Sequence, residues 1–149
     1  MTAAIVLAWL HYLAFMFMAG AAVSQLFLLK LMPTAEAVKT VTRVDRIYGA
    51  AAGAVLLTGF ARMPLAHGGK GVDYYLHTGA FHGTLTLFVL AALLSIVPTL
   101  RFIRWNKAAV AGTLPDTAAW RGTRKLVHVQ LGAIATIALL MPMMARGGF

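Results

Sequence analysis

The chain contains no cysteine. That excludes disulfides, thiolate metal centres and cysteine nucleophiles. Acids are almost as scarce: Glu36, Asp45, Asp73 and Asp116 are the only four, and all lie in or beside expected loops. No hydrolytic triad can be drawn from them, and no P-loop or dinucleotide fingerprint occurs. No catalytic residue is therefore assigned. Charge as a whole is thin, at 11% of 149 residues, against about a quarter in ordinary soluble domains.

What is abundant is apolar. Hydrophobic residues make up 60% of the chain, and the mean hydropathy is +0.80. A soluble core in so short a chain cannot hide that much apolar surface, and disorder is excluded on the same ground. The expected solvent is lipid. Four apolar runs stand out, over about 4–29, 47–65, 76–100 and 126–145. Each approaches or exceeds the roughly 20 residues a helix needs to cross a bilayer. The alternating strands of a barrel are missing, so helices must satisfy the backbone. The first run lacks a basic start and is too long for a signal peptide, so it is expected as a retained helix. The expected fold is an all-α integral membrane four-helix bundle, one domain over 1–149, without internal repeats. Short loops favour up-down-up-down order. Small-xxx-small pairs at Gly49/Gly53, Gly79/Gly83 and Gly20/Ser24 favour close helix packing and allow a homo-oligomer.

The 13 basic residues give a formal charge of +9. They sit in short loops between apolar runs, which points to membrane topology rather than a nucleic-acid partner. Lys30, Lys39, Arg43 and Arg46 flank the first loop, and Arg101, Arg104, Lys107, Arg121, Arg124 and Lys125 the third. Arg62, Lys70 and Arg146 alone fall on the other side. The positive-inside rule then puts both termini outside, in a bacterial inner membrane. Pro33 ends the first helix. Thr34 to Val44 is expected as a short amphipathic helix, His67 to Gly71 as an outer turn, and Asn106 to Thr123 as the longest loop.

Histidines inside spans are costly and usually functional. At about 1.5 Å per residue, His11 on the first span and His82 on the third both lie roughly 10 Å below the outer surface. Two imidazoles at one depth suit the axial positions of haem iron. Absence of a Cys pair makes it haem b. Phe15 and Met18 share the His11 face, and Thr78 and Gly79 the His82 face. Small residues leave room for the macrocycle, and Thr78 is placed to orient the His82 ring. Arg62 is the best-placed cation for the propionates, or else a snorkelling interfacial charge. Lys70, Tyr74 and Tyr75 share that side, the tyrosines reading first as an aromatic belt. His77 is the alternative second ligand. It cannot join His82 on one iron, being about 140° away around the helix. His67 reads as solvated, and His128 lies at the opposite side. The bland reading of His11 and His82 is two unrelated interhelical hydrogen bonds. Zinc wants more ligands than two histidines. Copper(I) has Met16, Met18 and Met63 at hand, although methionine in such a chain is mainly packing.

Several short elements carry a family resemblance: Leu10-His11 with the run to Ala19-Gly20, Arg46-Ile47-Tyr48, Phe81-His82-Gly83-Thr84-Leu85 and Arg124-Lys125-Leu126. The chain resembles an uncharacterised family of small four-helix bacterial membrane proteins. That family is similar to HemJ-type protoporphyrinogen IX oxidases and, more distantly, to CopD-type copper-resistance membrane proteins. The resemblance implies a b-type haem with His11 as axial ligand. In HemJ-type enzymes a Lys stands two residues after the third-helix His, where this chain has Thr84. That departure weighs against the oxidase activity and leaves haem binding intact. The expected function is a haem-binding membrane redox or electron-transfer protein, with a quinone or respiratory-chain protein as partner. The alternatives are a protoporphyrinogen oxidase-like oxidoreductase, a copper-handling protein and a non-catalytic subunit of a membrane complex.

Overall fold

A computed structural model describes residues 3–65 and 71–146, with side chains as far as residue 143. Every regular element among them is helical: α1 (Ala3–Leu28), α2 (Ala35–Arg62), a short α3 (Val72–Leu76), α4 (Gly79–Val110) and α5 (Thr117–Arg146). A 3-10 turn at Met63–Leu65 follows α2. Three helical segments are long and apolar enough to cross a membrane: Ala3–Leu28, Gly79–Val110 and Thr117–Met143. The fourth long helix, α2, has a different character. Glu36, Lys39, Arg43, Asp45 and Arg46 occupy its first half, and only the part from Ile47 onwards is apolar.

Each long helix packs on two others, in the ring α1–α2–α4–α5. Contacts fix the directions. His11 near the start of α1 meets Thr58 near the end of α2, and Gln25 near the end of α1 meets Asp45. Thr42 of α2 reaches the Phe102 carbonyl of α4, and Arg101 reaches Thr123 of α5. Sequential long helices therefore run antiparallel.

Two apolar clusters fill the ring. One joins Ala14, Met18 and Ala22 to Tyr48, Val55 and Ile134. The other joins Leu29, Val38 and Val41 to Phe102, Trp120 and Val127. The second cluster explains why the helices outrun the apolar runs. The Trp105 and Trp120 rings pack with centroids 5.5 Å apart at a tilt of 41°, and the Trp120 indole donates to the Leu31 carbonyl at 3.0 Å. Residues 106–110 and 117–123 are thus helical, and the third loop shrinks to 111–116. Likewise Thr34 to Val44 is not a separate helix but the start of α2. The Thr34 hydroxyl caps it by accepting from the Ala37 N–H at 3.1 Å. The outer face of the ring is greasy: Trp9, Met16, Leu57 and Leu139 are all exposed, Leu139 by 74%.

Candidate functional site

At the end of the bundle away from the basic loops, the helices part around a cleft. It holds about 1100 Å³ of space free of protein atoms, its open mouth included. Phe81, Thr84, Leu85 and Phe88 form its α4 wall, and their spacing of three, four and seven residues marks one helical face. His11, Tyr12 and Phe15 come from α1, Ile137 and Met141 from α5. On α2, Val55, Leu56, Gly59 and Phe60 face it, with Arg62 and Met63 at the end of that wall. Tyr75 of α3 completes it.

His11 is the key polar group. Its Nδ1 lies 3.1 Å from the Val55 carbonyl and 3.0 Å from the Thr58 hydroxyl oxygen. A carbonyl only accepts, so Nδ1 carries the proton. Thr58 sends its own hydrogen back to the Ala54 carbonyl, so its oxygen also accepts. The tautomer follows from these partners: Nε2 keeps a bare lone pair and has no hydrogen bond among the described residues. Close approach of the ring to α2 depends on Gly59. A Cβ there would stand 3.2 Å from His11 Cε1.

Two further polar groups border the cleft. The Arg62 guanidinium lies over the Tyr12 ring, 5.1 Å from its centroid. The Thr84 hydroxyl is buried and has no hydrogen-bond partner among the described residues. Hydroxyls in that state are rare in folded chains and call for a partner.

Of the residues singled out in the sequence, His11, Phe15 and Arg62 line this cleft. His82 does not. Its side chain is exposed, and Nε2 donates to the Leu76 carbonyl at 2.8 Å. The cleft-facing stripe of α4 begins at Phe81, and one residue further is a turn of about 100°. His11 and His82 are therefore not brought together on one ligand. Thr78 is buried but donates to the Tyr74 carbonyl at 2.6 Å. Gly79 sits in the first turn of α4 without facing the cleft, and Met18 is core, 1% exposed. His77 is exposed beside Asp73 at 3.4 Å, and His128 is exposed on α5. His67 and Lys70 lie outside the described residues. Tyr75, read as belt, is instead a wall of the cleft. Gly59 is not singled out in the sequence, and Thr84 is weighed there only against the Lys of a similar family, not as a cleft residue. A strict heptad reading from Phe81 would have found Thr84.

No group of three or more His, Asp or Glu side chains among the described residues is arranged to hold a metal ion. A lone His can still ligate a metal whose other donors belong to an organic macrocycle, as in haem proteins with one proximal His.

These features define a helical membrane protein with an apolar, single-histidine cleft at one end. The chain belongs to the family described as Predicted membrane protein (DUF2214), whose model matches residues 3–148. No curated protein and no solved structure matches it. The family match carries the membrane assignment, and the likeness to HemJ-type and CopD-type proteins gains no support from these comparisons.

Proposed function

We propose that this protein is a membrane haem protein of redox function, holding a b-type haem in the cleft with His11 as axial ligand. The observation that carries the reading is the His11 ring. Nδ1 is tied to a backbone carbonyl and Nε2 is left open in an aromatic cleft. Ligating histidines are commonly oriented by a hydrogen bond of this kind from the other ring nitrogen. Phe15, Phe81, Phe88 and Leu85 supply flat apolar walls, and Arg62 is the cation for a propionate. Haem bound there supplies one-electron chemistry between ferric and ferrous iron. Met63 and Met141 also line the cleft.

The same reading sets the topology. The long helices run up-down-up-down with both termini on the outer side of a bacterial inner membrane, and the cleft opens towards that side. The partner is then a quinone or respiratory-chain protein that meets the outer half of the bundle.

Protein purified from haem-replete cells is the test. The wild type is expected to show a Soret band and a reduced b-type spectrum. His11→Ala is expected to abolish both, while His82→Ala leaves them unchanged. Colourless wild-type protein overturns the reading. Loss of the spectrum in both variants would restore two-histidine ligation and require the third-helix stripe to rotate.

A further inference from the structure

A second polar site lies at the opposite end of the bundle, where all four long helices contribute. Asp45 of α2 is 6% exposed. The Gln25 side-chain amide of α1 donates to its Oδ1 at 3.0 Å, and Thr99 of α4 interacts with the same carboxyl. Tyr48, 3% exposed, stands one turn further along α2, beside Asp45 and Gln130 of α5. Gln130 is 1% exposed, yet neither its Nε2 nor its Oε1 has a hydrogen-bond partner among the described residues.

Two features of this cluster need an explanation. First, no cation pairs with Asp45: the one ion pair among the described residues is His77 with Asp73. Gln25, Thr99 and Gln130 are neutral, Tyr48 is the only other titratable group of the cluster, and Arg101 of α4 is committed to Thr123. A buried carboxylate without a counter-ion is expensive, and taking up a proton removes the cost. Second, an orphaned amide offers one acceptor and two donors. A metal ion would satisfy only the oxygen. A water molecule satisfies both ends, and the Tyr48 hydroxyl supplies a further partner.

We propose that Asp45 is a proton-binding site that exchanges its proton through water held by Gln130 and Tyr48. A hydronium ion gives one proton to the Asp45 carboxylate. One O–H bond forms on the carboxyl as one breaks on hydronium, and neutral water remains. Unloading is the reverse, so no electron and no co-reactant is involved. The site is independent of the His11 cleft.

Infrared spectroscopy of the protein in lipid vesicles tests this directly. The sequence has only four side-chain carboxyls, and Glu36, Asp73 and Asp116 are exposed. With the lipid ester carbonyls subtracted, a carboxylic-acid carbonyl band present in the wild type and missing from Asp45→Asn is assigned to Asp45. The wild type is expected to show that band and to shift it in heavy water. Asp45→Asn is expected to lose it, and Asp45→Glu to move it, which keeps the assignment testable if the Asn variant fails to fold. Gln130→Leu is expected to retain the band but slow its exchange several-fold. Absence of the band at neutral pH, its survival in Asp45→Asn, or its failure to exchange in the wild type overturns the proposal. Unchanged exchange in Gln130→Leu overturns the water route.

Discussion

A histidine near the middle of an apolar face can be core filler or a ligand; the interhelical hydrogen bonds of His11 Nδ1 suit either, and the ligand role proposed above rests on its open Nε2. Both acceptors of its Nδ1 come from one turn of α2, Val55 and Thr58. The ring reaches them because Gly59 has no side chain. A built Cβ at 3.2 Å is tighter than ordinary contact, and each further methyl of a valine must displace the imidazole. Gly59→Val is therefore expected to tilt His11 and weaken the Soret band, while Gly59→Ala changes it less. Thermal unfolding of the two variants should differ by less than their spectra do. If both fold and keep the wild-type spectrum, Gly59 does not set the position of the ring. The histidine was legible from sequence, and its partners were not. Val55, Thr58 and Gly59 lie 44 to 48 positions away in the chain, and only the antiparallel register of α1 on α2 brings them together. His82 lies outside the cleft lining for a related reason. Depth along a helix follows from counting residues, but facing depends on which stripe meets the bundle, and one residue turns a side chain through about 100°.

At the scale of elements, apolar runs located the four long helices, matched the length of α1 and underestimated that of the other three. Hydropathy marks where a helix is wet by lipid; it does not mark where the helix stops. Residues such as Trp105, Ala109 and Trp120 keep α4 and α5 packed after the apolar runs end. The stop signal of α4 was nevertheless written in Gly112. Its φ is +83°. The Thr113 N–H reaches back to the Ala108 carbonyl at 2.9 Å and the Gly112 N–H to the Ala109 carbonyl at 3.1 Å. That pair of bonds is a Schellman closure, which needs a left-handed residue after the helix. Gly112→Ala is expected to destabilise the fold by about 1–2 kcal/mol. Thr34→Ala at the start of α2 is expected to cost about 1 kcal/mol through the lost cap. Unfolding in a mixed detergent series measures both. Neither variant should alter the haem spectrum, because both sites lie at the opposite end of the bundle from the cleft.

At the scale of the whole molecule, the two ends of the bundle differ in kind. One carries the cleft, with Arg62 as its only cation among the lining residues. The other carries ten of the thirteen basic residues and the buried Asp45 cluster. Charge asymmetry of this sort orients a polytopic protein during insertion, with basic loops retained on the cytoplasmic side. Absence of cysteine makes the orientation directly measurable, because a single introduced thiol is the only one in the chain. Thr113→Cys lies in the exposed loop between α4 and α5, and Asp73→Cys lies on exposed α3. In intact spheroplasts a membrane-impermeant maleimide is expected to label Asp73→Cys at once and to leave Thr113→Cys unlabelled until the membrane is broken. The reverse pattern would invert the molecule. The His11 cleft would then open to the cytoplasm, with the internal geometry of both sites unchanged. Labelling of both thiols in intact spheroplasts would mean that an even number of segments separates them across the bilayer. In that case α4 does not cross, and the antiparallel ring must be seated in the membrane in another way.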